Sequence, residues 1–489
     1  MAESRKRDQR LGLGSLAFEL QELICHNLWQ PGSDGLISND SQTALLNLSG
    51  CSRVLRDIAQ PLAYHTLTHG FINLGKLVRT LHERRDLASC LRTFHEPLRG
   101  TCTNNAAQKN FLRSVADEFQ LWYEGHDQMR FRRSKDSDLV LEDVCIELII
   151  ILSCNLQTLK VYSPNNGVDQ RKDQYPLLYK HFRNISPSTI RHLELGRKST
   201  VDMPYTRPSI DTALMFHGTQ NMRQLIIRGV SDLQSSLYGQ ESFERMIASS
   251  TLKRLRLMEL QECALDTRDW GEMFLGQLVW MAPNLENLRY ISQHYRNPEP
   301  VAIHLSVPQM LRAIRTSDSI ISLKSLDICL CAFVRCEWPN RGNLISASDL
   351  EEFKSLETLK LDENAVCGYY DSPLDPDLSS PVTSCLTEVL PRRLRQVVIR
   401  VYKGSGSHIW GDLAELAVRS FQFPDLGSVL VQAISKAEKD YKWSLFEEQV
   451  LKERKLLKGI WLETKVKFEI EVYRTALPDK EHGVLGVIS

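Results

Sequence analysis

One short pattern of apolar positions returns along most of this chain: apolar, two variable residues, apolar, one variable residue, apolar. It occurs as Leu156-Gln-Thr-Leu159-Lys-Val161, Ile190-Arg-His-Leu193-Glu-Leu195, Met222-Arg-Gln-Leu225-Ile-Ile227 and Leu252-Lys-Arg-Leu255-Arg-Leu257. It returns as Leu285-Glu-Asn-Leu288-Arg-Tyr290, Leu323-Lys-Ser-Leu326-Asp-Ile328, Leu356-Glu-Thr-Leu359-Lys-Leu361 and Leu394-Arg-Gln-Val397-Val-Ile399. Alternation over the last three positions predicts a short strand with one buried face, and the near-constant spacing predicts one strand per stacked unit. A unit of this kind leaves its apolar face wet when alone, so the units must fold as an array.

Between the strands, amphipathic stretches such as Ser242 to Ser250 and Asp269 to Met281 supply helices for the return path, with Trp270, Phe274, Leu278 and Met281 at helical spacing. Ser163 to Gln174, Arg197 to Ser209, Asn340 to Asp349 and Tyr369 to Pro381 read as loops from their Pro, Gly, Asn, Asp and Ser content. Leu91 to Phe94 reads as a degenerate first strand, with room for two units between Phe94 and Leu159. Leu426 to Val431 and Lys465 to Tyr473 read as further strands, with a charged helix over Lys442 to Leu462 between them. Before the array, Leu16 to Trp29 and Ser41 to His65 read as helices around a Gly- and Pro-containing loop.

The strand phrase resembles the core of a leucine-rich repeat, with longer and less regular units. Cys331 and Asn364 stand where that family places the residue that bonds neighbouring backbones. The stretch Ala44 to Tyr64, followed by Leu77 to Leu87, resembles the second half of an F-box and the helix linking it to the repeats in fungal F-box proteins. The first half departs from that family, with Ala17-Phe18 after Leu16 in place of a Leu-Pro pair. The fold class expected is α/β: an F-box-like helical module, then an irregular leucine-rich-repeat solenoid made of a curved parallel sheet with convex helices. The domains expected are a flexible N-terminus at 1–14, the module at 15–70, the solenoid at 71–440 and a helix-and-strand cap at 441–489.

What the resemblance implies is a substrate-recognition subunit of an SCF-type cullin ubiquitin ligase. Such a subunit binds an Skp-type adaptor through the module and a protein substrate through the solenoid. Leu16, Glu19, Leu20, Leu23, Leu28 and Leu45 are the candidate adaptor contacts. Strand alternation offers Lys160, Tyr162, Arg228, Arg254, Arg256 and Arg289 as substrate contacts, a basic strip suited to an acidic or phosphorylated segment. The alternative is a repeat scaffold of the same fold with no link to a ligase.

Charge narrows the partners. Sixty Lys and Arg balance 60 Asp and Glu, so no net field favours nucleic acid or an anionic membrane. Neither is expected as a partner, nor is a small-molecule substrate. No apolar core follows the basic start and no apolar run reaches membrane-spanning length, so a soluble protein of the cytoplasm or nucleus is expected, its 12 cysteines reduced. Cys329, Cys331 and Cys336 lack a second ligand pair, His65 and His69 lack a third ligand, and Lys403 to Ser407 lacks the remainder of a phosphate loop. No cofactor, metal or catalytic activity is expected.

Overall fold

The computed structural model describes residues 12–30, 37–67, 73–95, 106–119, 137–163, 189–197, 221–228, 252–263, 271–292, 305–330, 344–368, 382–383, 386–402, 408–436, 442–475 and 486–488. These form two compact units, one ending at Met222 and the other beginning at Arg223.

The first unit opens with helices α1 (Phe18–Leu28), α2 (Asn39–Ser49) and α3 (Arg53–His65). A single helix over Ser41 to His65 is therefore corrected to two. Gly50 ends α2, and the Ser52 hydroxyl accepts the Leu55 N–H at 3.1 Å to start α3, so local capping outweighs the apolar period running through the break. Cys25, Leu45, Leu55, Ala59 and Ala63 form the sealed core of the three helices, with Leu28, Trp29, Leu46, Leu48, Ile58, Leu62 and Tyr64 packed around it. The buried Gln42 side chain donates from Nε2 to the carbonyls of Ala63 at 2.9 Å and Thr66 at 2.8 Å, tying α2 to the end of α3.

The rest of this unit runs β1 (Thr66–Leu67), α4 (Leu74–Glu83), α5 (Arg85–Cys90), β2 (Thr93–His95), α6 (Ala106–Glu118), α7 (Ser137–Leu152), β3 (Thr158–Ser163) and β4 (His192–Arg197). The four strands pair in chain order, all parallel. Phe94 stands beside Leu159 in register, so β2 adjoins β3 directly, and the expected two units between them are one long unit holding α6 and α7. Gly75 of α4 lets α6 come close: a Cβ there would sit 1.9 Å from the Gln108 Nε2.

The second unit contains β5 (Gln224–Arg228), β6 (Leu257–Cys263), α8 (Gly271–Trp280), β7 (Asn287–Ser292), α9 (Val307–Arg315), β8 (Ser325–Cys329), α10 (Ala347–Leu350) and β9 (Thr358–Asp362). It continues with α11 (Glu363–Val366), the two-residue pair β10 (Cys367–Gly368) and β11 (Val382–Thr383), α12 (Leu386–Val389), β12 (Gln396–Tyr402), α13 (His408–Val418), β13 (Ser428–Lys436), α14 (Lys442–Trp461), β14 (Lys467–Thr475) and β15 (Gly486–Ile488). Strands β5, β6, β7, β8, β9, β12, β13 and β14 lie side by side in that order, all parallel, and β15 closes the row antiparallel to β14.

Each unit is thus an α/β array of the solenoid kind, in which consecutive strands are neighbours. One backbone device repeats in both: two successive N–H groups ahead of a strand bond a single carbonyl of the preceding turn. Gln157 and Thr158 share the Arg92 carbonyl, Glu286 and Asn287 share that of Arg256, and Lys324 and Ser325 share that of Glu286. Leu225, Met258, Leu288, Leu326, Leu359, Val397 and Val429 occupy one register row of the second unit, all buried. Burial of such side chains stabilises by roughly 1.5–3 kcal/mol each. The capping box of Ser306 and Gln309 starts α9, and Gly276 of α8 lets the two helices approach closely, since a Cβ there would sit a tight 3.2 Å from the Ala313 carbonyl oxygen.

That row corrects the fourth strand phrase by three residues. Leu225 stands beside Met258, and Leu255 fills the earlier apolar position that Leu285 fills in the next unit. The segment Leu252 to Leu260 satisfies the phrase twice, and the reading that seals Met258 and Leu260 is the one adopted.

Candidate protein-binding surfaces

On α1 the inward side chains are Gln21 and Cys25, with Leu28 half-buried against the core. Burial among these helices pushes the Cys25 thiol pKa up, as expected for a cysteine used in packing. Leu20 and Leu23 lie one turn apart on the side of α1 away from that core and are 49% and 56% exposed, while Leu16, 36% exposed, stands in extended backbone just ahead of the helix. Glu19 is exposed in the first turn, where a carboxylate suits the helix dipole. Of the six candidate adaptor contacts, these four are at the surface. Leu28 and Leu45 are not: Leu45 is fully enclosed at the centre of the module, because a bundle this small spends most of its apolar side chains on itself.

The candidate substrate contacts do not form one basic row. Arg254 and Arg256 precede β6, since the strand begins at Leu257. Arg256 lies 3.3 Å from the Glu286 carboxylate and donates to the Asn284 carbonyl at 2.8 Å. It belongs to a ladder of alternating charge ahead of the strands, in which Lys324 also meets Glu286 at 3.1 Å and Arg395 meets Glu357 at 3.1 Å. Arg228 is half-buried on β5. In the first unit, Lys160 of β3 pairs with its cross-strand neighbour Glu194 at 3.1 Å. Tyr162 lies in β3 by its backbone, beside Gly196.

On the strand face of the second unit, the residue of β6 beside Arg289 is Glu259, and the residue of β8 on its other side is Asp327. Arg289 divides between them, at 3.7 Å and 3.3 Å. Asp327 also accepts from Arg400 of β12, whose guanidinium reaches across β9. Arg400 donates to the Ile328 carbonyl at 3.2 Å and lies 3.5 Å from its register neighbour Asp362. The second Asp362 oxygen accepts the Leu330 N–H at 2.6 Å. Burial alone would lower the Arg400 pKa, but the charges of Asp327, Cys329 and Asp362 outweigh it and raise it, so the cation is fixed.

Strand alternation puts Arg289, Asp327, Asp362 and Arg400 all on this face, but it does not show that the last three close into a sealed cluster. The signal was present in the rows of alternate residues once aligned, since Arg400 and Asp362 are cross-strand neighbours. No cluster of three or more His, Cys, Asp or Glu among the described residues could hold a metal ion. Cys329 is buried, while Cys331, Cys336, His69, Lys403 to Ser407 and Ser242 to Ser250 lie outside the described residues. His65 packs edge-on against Trp29 with ring centres 5.0 Å apart, and burial followed by the Arg92 charge holds its pKa below the ordinary imidazole range. Among the described residues no helix is long and apolar enough to cross a membrane.

Compared with known proteins, the chain matches no family model and no curated protein.

Proposed function

We propose that this chain bridges a protein substrate to a cullin ubiquitin ligase, with the α1–α3 module docking on an Skp-type adaptor and the strand faces of a leucine-rich-repeat-like array receiving the substrate. The observation that carries the reading is the exposed pair Leu20 and Leu23 on α1, with Leu16 exposed just ahead of the helix, outside a core already complete behind them. Two leucines one turn apart suit a helix laid in an apolar groove, and leaving them in water forgoes roughly 25 cal/mol for each Å². On the substrate side, charges of both signs alternate along the strands, so a partner must exchange its own acids and bases with pairs such as Arg289 and Asp327. In this reading the chain binds and orients but does no chemistry.

The test is retention of the full chain on an immobilised Skp-type adaptor. Wild type is expected to be retained and Leu20→Glu/Leu23→Glu to be lost, with the melting temperature of the variant unchanged because neither side chain belongs to the core. A wild-type chain that the adaptor does not hold sinks the proposal. A second reading, a scaffold uncoupled from the ligase, is favoured by Ala17 at the start of α1, which caps the helix with no side-chain bond and lacks the preset turn of a proline. It predicts capture of a partner by the strand faces with no adaptor retention.

A further inference from the structure

The last parallel strand offers an open edge. β13 pairs with β14 along Lys467 to Thr475, but on the other side β15 reaches only Val472, Tyr473 and Arg474. The Lys467 N–H bonds the Gly427 carbonyl at 2.9 Å, on the β13 side. Backbone groups alternate sides along a strand, so the N–H and C=O of Phe468 and Ile470 point to the opposite edge, in series with Val472 where β15 begins. Among the described residues that stretch of edge has no strand partner, and unpaired edges are templates for another chain.

What lies beside the edge is basic. A cleft of about 150 Å³ is lined by Arg454 and Lys458 of α14 and by Lys467, Phe468, Glu469 and Ile470 of β14. Arg454 and Lys458 are four residues apart, hence on one face of the helix, and both are exposed. Among the described residues neither has a carboxylate within 4.0 Å, whereas Lys467 is held by Glu469 at 2.8 Å. The cleft is walled by Phe468 and Ile470 of β14 and by two cations that have no ion-pair partner among the described residues.

We infer that the open edge of β14 receives an extended acidic segment of a partner protein, added as a further strand. Its backbone bonds Phe468 and Ile470, and its carboxylates meet Arg454 and Lys458. Main-chain bonds give such additions affinity and side-chain pockets give selectivity. A second copy of this chain fits the charge less well, because its own β14 brings Lys467 and Arg474 along with Glu469 and Glu471 and offers no net complement. This inference does not depend on adaptor docking through α1, which lies in the other unit.

The probe is a short fluorescein-labelled peptide alternating Glu with Val and Thr, titrated into the full chain by anisotropy, with the Glu residues replaced by Lys as the control peptide. The acidic peptide is expected to bind and the lysine peptide not to. Arg454→Glu/Lys458→Glu should weaken binding by roughly tenfold or more, while Lys452→Glu, on the far side of α14 from Arg454, should leave it within about twofold. Amide exchange on the bound complex should slow at Phe468 and Ile470 but not at Lys467, whose N–H is already bonded. Absence of binding, equal binding of the lysine peptide, or binding without protection at those two amides overturns the inference. Self-association by sedimentation that protects the same amides without peptide also overturns it, by giving the edge to a second copy.

Discussion

Leu20 and Leu23 on α1 are about half exposed, whereas Arg400, Asp327 and Asp362 on the strand face of the second unit are 6%, 7% and 3% exposed. Residue type alone would assign these surfaces the other way round, with leucines inside and charges in water. The difference lies in where each side chain finds its partner. Arg400 has two carboxylates and a carbonyl within the chain, so its polarity is spent internally. Leu20 and Leu23 have a finished core behind them and pack on nothing among the described residues of the module. A surface meant for another molecule shows itself by what its own fold leaves unmatched.

The largest effect expected from breaking that contrast is at Arg400. Arg400→Ala leaves Asp327 and Asp362 buried beside each other without their cation, and removal of one partner from a buried pair costs about 3–5 kcal/mol. Urea unfolding of the full chain measures it, and a loss under about 1 kcal/mol would mean that water reaches the cluster. Replacing all three by apolar residues of similar size should recover much of the loss, because the carboxylates then no longer need a charge.

A smaller effect separates the inside of the module from its outer face. Gln42→Ala removes both bonds to the Ala63 and Thr66 carbonyls in a sealed site, and should cost about 1–3 kcal/mol in thermal unfolding. Polar substitution at Leu20 should cost almost nothing by the same measure. If the two variants lose stability equally, the stripe on α1 is packed rather than presented, and the adaptor reading loses its footing.

Strand phrases made most of the array legible, because alternate apolar residues must face one core and a slip of one residue would expose them all. Leu159, Leu193, Leu225, Leu288, Leu326, Leu359 and Val397 sit in the rows that the phrase predicts. The fourth phrase slipped because Leu255 serves two overlapping matches, and only the pairing of Leu225 with Met258 decides between them. Arg254 and Arg256 left the strand face with that slip. On the module, helical spacing identified Leu16, Leu20 and Leu23 but could not separate them from Leu28 and Leu45, since periodicity gives a face without saying what covers it. The reach of Arg400 over β9 to Asp327 was beyond spacing altogether: it needs a long side chain, two aligned rows and a burial that only packing supplies.

Arg289 is the smallest effect and the sharpest test of the contrast, because it shares Asp327 with Arg400 yet remains 44% exposed. Its side chain reaches solvent while lying 3.3 Å from Asp327 and 3.7 Å from Glu259, and pairs open to solvent on one side contribute about 0–1 kcal/mol. Arg289→Ala should therefore cost no more than about 1 kcal/mol, and that small loss should shrink further in high salt as the Debye length falls. Because Asp327 is ion-paired with both arginines, the double variant with Arg400→Ala should lose more than the two single losses combined if Arg289 can partly neutralise Asp327 once Arg400 is gone. A cost at Arg289 alone that approached the cost at Arg400 would show the strand face to be shut against solvent as far as β7. A partner could then reach it only by breaking pairs the fold depends on, and the substrate would have to be sought away from the centre of this sheet.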